Sequence, residues 1–227
     1  MQYKEYVKKI FFALSITVSL VSLNGCDDYQ GAVNIENRNK ITTPTLGDIL
    51  LENHNIINFN DYNKNSTNKA VGVVFSSKTT EHPALVVLLK EVEKVYCDSI
   101  GLSCGTNTDI KAYDGFKNTT ALYASGRSPL AKSMFAFHEY GQSDYIPSVA
   151  EMRLLSRLAP EINKTILALG GTPIALEGNT WYWTSTEVAA NTTMQAWLCS
   201  TVNGGIQETP KNESHKARAI LRINYPD

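Results

Sequence analysis

W-Y-W-T-S-T-E, Trp181 to Glu187, sets two tryptophans two positions apart, ahead of a run of hydroxyl side chains that ends in an acid. Side chains alternate between the faces of a strand, so Trp181 and Trp183 share one face while Tyr182 and Thr184 take the other. A strand over 181–187 with a heavily aromatic face follows. Working toward the C-terminus, Met194 to Val202 reads as the next strand and Asn203-Gly204-Gly205 as a turn, since Asn-Gly favours the two-residue hairpin in which both central positions need positive φ. Ala217 to Ile223 reads as the last strand. There Ala219, Leu221 and Ile223 oppose Arg218 and Arg222, which predicts an antiparallel sheet with one covered face.

Working backward, Ile146-Pro147-Ser148-Val149-Ala150-Glu151 carries a capping box: the Ser148 side chain and the Glu151 carboxylate each satisfy a helix-start donor. The helix begins at Val149 with Val149, Met152 and Leu155 on one face. Pro160 is expected to break or restart it, and Gly170-Gly171 to end it. A shorter helix is predicted from Ser128 as cap and Pro129 at the first helical position, through Leu130, Met134 and Phe137, to Gly141. Another is predicted over Thr119 to Ala124, with Asn118 as its cap. Two β-branched or apolar runs, Ala70 to Phe75 and Ala84 to Leu89, read as buried strands, and Asp48 to Leu51 with Asn55 to Ile57 as a strand pair.

At the other terminus, Lys4, Lys8 and Lys9 precede an apolar run from Ile10 to Leu23 that ends in Asn24-Gly25-Cys26. That order of charged, apolar and small residues is a secretory signal peptide, with an apolar region shorter than the roughly 20 residues a spanning helix needs. It resembles the lipobox of bacterial lipoproteins, in which cleavage before Cys26 leaves that cysteine to carry lipid. The resemblance implies a partner, the membrane, reached through lipid on Cys26, with the chain anchored to the outer membrane and surface-exposed. The organisation expected is a signal peptide over 1–25, an acylated cysteine and Asn-rich tether over 26–45, and a single domain over 46–227.

The formal net charge of -1, from 21 basic and 22 acidic residues, leaves no field to attract nucleic acid. No Cys-x-x-Cys, zincin, nucleophile-elbow or phosphate-loop pattern occurs, so neither a catalytic group, a metal site nor a cofactor is expected. Of the four cysteines, Cys97 and Cys104 either close a short loop or remain thiols, and Cys199 is left over.

Several segments together resemble the C-terminal domain family named after the Legionella collagen-like adhesin, found in Bacteroides surface lipoproteins. They are Gly47-Asp48-Ile49-Leu50, Val71 to Phe75, His82, Tyr113-Asp114-Gly115 with Asn118-Thr119, Ile146-Pro147-Ser148 with Glu151, Tyr182 to Glu187, Ala196-Trp197, Lys211 and Arg218. The resemblance implies an α+β, C-type-lectin-like fold: a mostly antiparallel sheet with two or three helices packed on one side, and termini that pair as neighbouring strands. It also implies a non-enzymatic domain that binds a glycan or protein ligand. The alternative is a structural or accessory subunit of a surface fibre or envelope complex.

Within that frame Ser148, Glu151, Trp183, Trp197 and Arg218 are expected to be structural, with Trp181 divided between core and sugar-stacking roles. The loops beyond, with Asn191, Thr192, Asn203, Gln207, Asn212 and His215, are the expected ligand contacts, since loops on a rigid scaffold carry recognition. Lys211, Lys216, Arg218 and Arg222 read as a solvated face, with one arginine paired to an acid such as Glu187.

Overall fold

The computed structural model describes residues 32–34, 43–135 and 144–224. Among these residues, nine strands form one mixed, mostly antiparallel sheet. They are β1 (Ala32–Asn34), β2 (Ile49–Leu51), β3 (Ile56–Ile57), β4 (Ala70–Ser76), β5 (Ala84–Val95), β6 (Trp181–Glu187), β7 (Gln195–Ser200), β8 (Ile206–Pro210) and β9 (Ser214–Asn224). Among the described residues, three α-helices accompany them: α1 (Gly115–Ala124), α2 (Pro129–Phe135) and α3 (Val149–Ala168). The sheet runs in the order β3-β2-β4-β5-β9-β6-β7-β8.

The last strand is the axis. Along one edge β9 pairs antiparallel with β5, from Ala84↔Ile223 to Val95↔Ser214 with a register slip between Val87 and Glu91. Along the other edge it takes a succession of short partners: β6 in parallel at Tyr182↔Lys216, an antiparallel bridge from Tyr145 at Ile220, and β1 in parallel with Arg222–Asn224. The termini therefore do meet as neighbouring strands, and Ala32–Asn34, inside the segment read as a tether, are strand residues.

Both faces of the sheet are covered, which corrects the expectation of one covered face and of helices on one side. Ala84, Val86 and Leu88 of β5 pack with Ala219, Leu221 and Trp183 against Leu130, Ala131 and Met134 of α2. Leu85, Val87 and Leu89 point the opposite way and pack with Tyr182, Cys199 and Ile220 against Met152, Leu155, Ile162 and Ile166 of α3. The physical reason lies in A-L-V-V-L-L itself. Alternate positions of a strand face opposite sides, so an unbroken apolar run has apolar groups for two cores. Helix α1 reaches both, through Phe116 on one side and Leu122 on the other.

The capping box forms as expected: Ser148 Oγ accepts from the Glu151 amide at 3.3 Å and Glu151 Oε2 accepts from the Ser148 amide at 2.8 Å. Helix α3 then continues through Pro160 without a break, contrary to expectation. Pro160 is exposed, so water can solvate the carbonyl it leaves unbonded, and buried residues on both sides of it hold one helical face to the sheet. Helix α1 starts earlier than expected, after Asp114. Asn118 is not its cap but a buried residue inside it, taking the Asn107 amide at 2.8 Å on Oδ1. In α2, Ser128 does cap, accepting from Ala131 at 3.0 Å. Phe137 and the expected stop at Gly141 lie outside the described residues.

At the C-terminal end the expected two-residue hairpin is longer. The connection from β7 to β8 spans 201–205, and Gly204 takes φ +70 while Asn203 does not enter the left-handed region. The stretch after it, read as a loop, contains β8. Its I-Q-E-T-P sequence is polar and largely exposed because an edge strand buries only part of itself.

Candidate functional site

Strands β6, β7 and β8 form a ladder whose two ends differ in burial and charge. At one end β6 finishes in Glu187 and β8 in Pro210-Lys211; at the other, Trp181 pairs with Ser200 beside the 201–205 turn. Glu187 and Lys211 are both fully buried, with Lys211 Nζ 2.6 Å from Glu187 Oε1. The carboxylate also takes the Cys104 amide at 2.8 Å, the Ser103 hydroxyl at 2.9 Å, and the amide and hydroxyl of Thr106 at 3.3 and 3.2 Å. Lys211 spends its other ammonium hydrogens on the carbonyls of Thr192 at 2.7 Å and Leu102 at 3.0 Å. Burial pushes the Glu187 carboxyl up, but Lys211 and the Cys104 amide outweigh it and hold the group below its ordinary value.

This pair is a clamp for loops. It ties the 97–106 segment, the 188–194 turn and the β8–β9 connection to one point, and three further bonds stiffen it. Gly101 donates to the Thr193 carbonyl at 2.9 Å, and Arg127 donates to the carbonyls of Leu102 at 3.3 Å and Ser103 at 2.8 Å. Outside the clamp, Ile100, Leu102 and Met194 are 40%, 62% and 37% exposed. Apolar side chains held outward on an ordered backbone suit contact with another surface.

The opposite end is basic. A groove of about 520 Å³ is lined by Arg153, Ser156, Arg157 and Pro160 of α3 and by the turn Val202–Gly204. Arg153 Nε donates to the Gly204 carbonyl at 3.0 Å and Ser156 Oγ to the Thr201 carbonyl at 2.9 Å, which fixes the turn to the helix. Among the described residues, no acidic side chain lines the groove.

The arginines of the last strand belong to neither end. Arg218 is 1% exposed and donates to the Leu88 and Thr172 carbonyls and to Glu91, which also takes Tyr182 Oη at 3.0 Å and Lys216 at 3.0 Å. Arg222 reaches Glu151 Oε1 at 3.2 Å and Tyr145 Oη at 3.1 Å, and lies over the Tyr145 ring. The solvated basic face is thus corrected: Lys211 and Arg218 are buried, and the acid that meets Arg218 is Glu91, while Glu187 meets Lys211. The register dictates this, since Glu91 lies directly opposite Arg218.

The expected contact residues do not converge. Asn191, Thr192 and the exposed Asn212 lie at the clamp end, where Thr192 supplies its carbonyl to Lys211. Asn203 is exposed at the groove end, and Gln207 is exposed one residue into β8, opposite Leu198. His215 is on β9, its ring edge-on to Trp183 at 5.2 Å and bonded to Glu213. Trp181 is half-buried against the core, with Nε1 donating to Asn179 at 2.6 Å. Trp183 is fully buried, donates to the Lys94 carbonyl at 3.1 Å and packs on Tyr96, whereas Trp197 is only partly buried. The clamp itself escaped sequence reading. Its signals were the acid closing the aromatic strand and a lysine after a proline.

Among the described residues, no group of three or more His, Cys, Asp or Glu side chains could hold a metal ion, and no helix is long and apolar enough to cross a membrane. Cys26 lies outside them.

A nine-stranded, mostly antiparallel sheet with helices on both faces and ordered loops at one end defines a mixed α+β scaffold. No family model matches the chain, and no curated protein sequence does. The fold is similar to that of a fimbrial protein from Bacteroides ovatus, with a TM-score of 0.59 and 13% identity over 79% of this chain and 49% of that one. This chain spans about half the length of that protein.

Proposed function

We propose that this chain is a non-enzymatic subunit of a surface fibre or envelope complex, and that the clamp end of the β6–β8 ladder is its partner-facing surface. The observation that carries the reading is the similarity of fold to the Bacteroides ovatus fimbrial protein. The clamp supports the assignment of the face. Loops held by a buried ion pair lose little further freedom when they bind, so the exposed Ile100, Leu102 and Met194 meet a partner at low entropic cost. The charged, apolar and lipobox-like order of Lys4 to Cys26 supports an envelope location, and in this reading lipid on Cys26 holds the chain to the outer membrane.

Cross-linking in the native envelope tests it. A single partner at fixed stoichiometry is expected, and a chain recovered alone, or found in the cytosol, contradicts it. The second reading, a lectin-like domain that binds a glycan or protein ligand, is favoured by the basic groove of Arg153 and Arg157, which suits an acidic ligand. A glycan and host-matrix array read with the full chain separates the two: the second requires a binder outside the producing cell, and the first does not.

A further inference from the structure

Cys97 and Cys104 sit behind the exposed face of the clamp, and their sulfurs are 3.0 Å apart, about 1 Å longer than a disulfide bond. Both thiols are buried in the same core cluster, and backbone bonds fix both ends of the loop they bracket. The Cys97 amide donates to the Lys211 carbonyl at 2.9 Å, the Asp98 amide to the Arg127 carbonyl at 2.9 Å, and the Cys104 amide to Glu187. The bonded state asks that the two sulfurs close this remaining gap. Cys199 is buried in the cluster on the opposite face of the sheet, so it does not compete for either sulfur.

The surroundings of the two sulfurs differ. Arg127 Nη2 lies 3.8 Å and Lys211 Nζ 3.9 Å from Cys104 Sγ, and these cations favour a thiolate there. Its thiol is brought down to about 7, first by the hydrogen bond from Cys97 and then, against burial, by Lys211. Cys97 is pushed up by its hydrogen bond with Cys104 and by burial. One sulfur is thus prepared to attack and the other to resolve.

We propose that Cys97 and Cys104 form a disulfide by exchange with a disulfide-bearing oxidant, and that the bond closes the 97–104 loop covalently behind Ile100 and Leu102. The Cys104 thiolate, having released its proton, attacks one sulfur of the oxidant, whose S–S bond breaks and expels a thiolate. Cys97 then loses its proton and attacks Cys104 Sγ, breaking the mixed disulfide and expelling the second thiolate. The cysteines give up two protons and two electrons, and the oxidant leaves as two thiols. Because Cys104 is 6% exposed, exchange requires opening of the loop. The inference holds whichever partner the face meets.

The test uses the full chain and oxidised glutathione. After incubation the protein is quenched in acid, alkylated with iodoacetamide in denaturant and digested with trypsin. Both cysteines fall in one peptide, Val95 to Lys111. The expected result is that this peptide escapes alkylation and is lighter than its reduced form by two hydrogens, while the Cys199 peptide is fully alkylated. Reducing the oxidised protein should lower Tm by about 5–10 °C, the effect of opening a short loop in a chain of this size. Alkylation of Cys97 and Cys104 as complete as that of Cys199, or a stable glutathione adduct on either, would overturn the proposal.

Discussion

The two ends of the β6–β8 ladder are built from the same three strands and solve opposite problems. At the Glu187 end, charge is buried and apolar side chains face outward. At the Trp181 end, an aromatic ring is half-buried and the charges, Arg153 and Arg157, line an open groove. A buried ion pair contributes little to net stability against an apolar replacement, but it penalises any arrangement that separates its partners. The clamp end thus gains definition of its loops, and the groove end keeps its lining open to solvent.

The sharpest way to break this contrast is to remove one charge of the clamp. Lys211→Ala leaves a buried carboxylate whose remaining partners are neutral, and is expected to cost about 3–5 kcal/mol in urea denaturation. The paired replacement Glu187→Gln with Lys211→Met should recover much of that loss, since no buried charge remains.

Acid provides the second test. Glu187 is held below its ordinary value of 4.5 in the folded chain, so its contribution is present above that value and fades as pH falls through the lower folded one. The stability curve of Glu187→Gln should therefore be flatter below pH 4.5 than that of the wild type, and equal slopes would count against the pair.

Smaller effects are expected along α3, which starts beside Thr186 and reaches the groove at Arg153 to Pro160. Ser148→Ala removes the cap of the helix that forms one wall and should cost about 1 kcal/mol by the same denaturation assay. Arg157→Ala touches only the exposed lining, so it should change stability by less than about 0.5 kcal/mol while weakening retention on an anionic resin at low salt.

Much of the fold was legible in local patterns. Ser148 with Glu151 marked a helix start because both halves of the box lie within one turn, and Trp181–Trp183 marked a strand because alternation is local. What was not legible depended on distance. Glu187 and Lys211 meet only because β7 and β8 fold back between them, and the polar β8 becomes a strand only by pairing with β7. Pro160 sits in a helix because packing on either side outweighs its local cost, and the helices divide between two faces because A-L-V-V-L-L is buried twice. The contact residues taken from loops scattered for the same reason: hairpin connections alternate between the ends of a ladder, so successive loops do not share a surface.

The most direct test of the partner face places a photo-cross-linking amino acid at Leu102 in one variant and at Asn203 in another, each expressed as the full chain in its native envelope. Both positions are exposed, and they lie at opposite ends of the ladder. A single adduct of constant size from position 102, with none from position 203, is the result expected. No adduct from 102, or a stronger one from 203, would contradict the assignment of the clamp end as the surface that meets a partner.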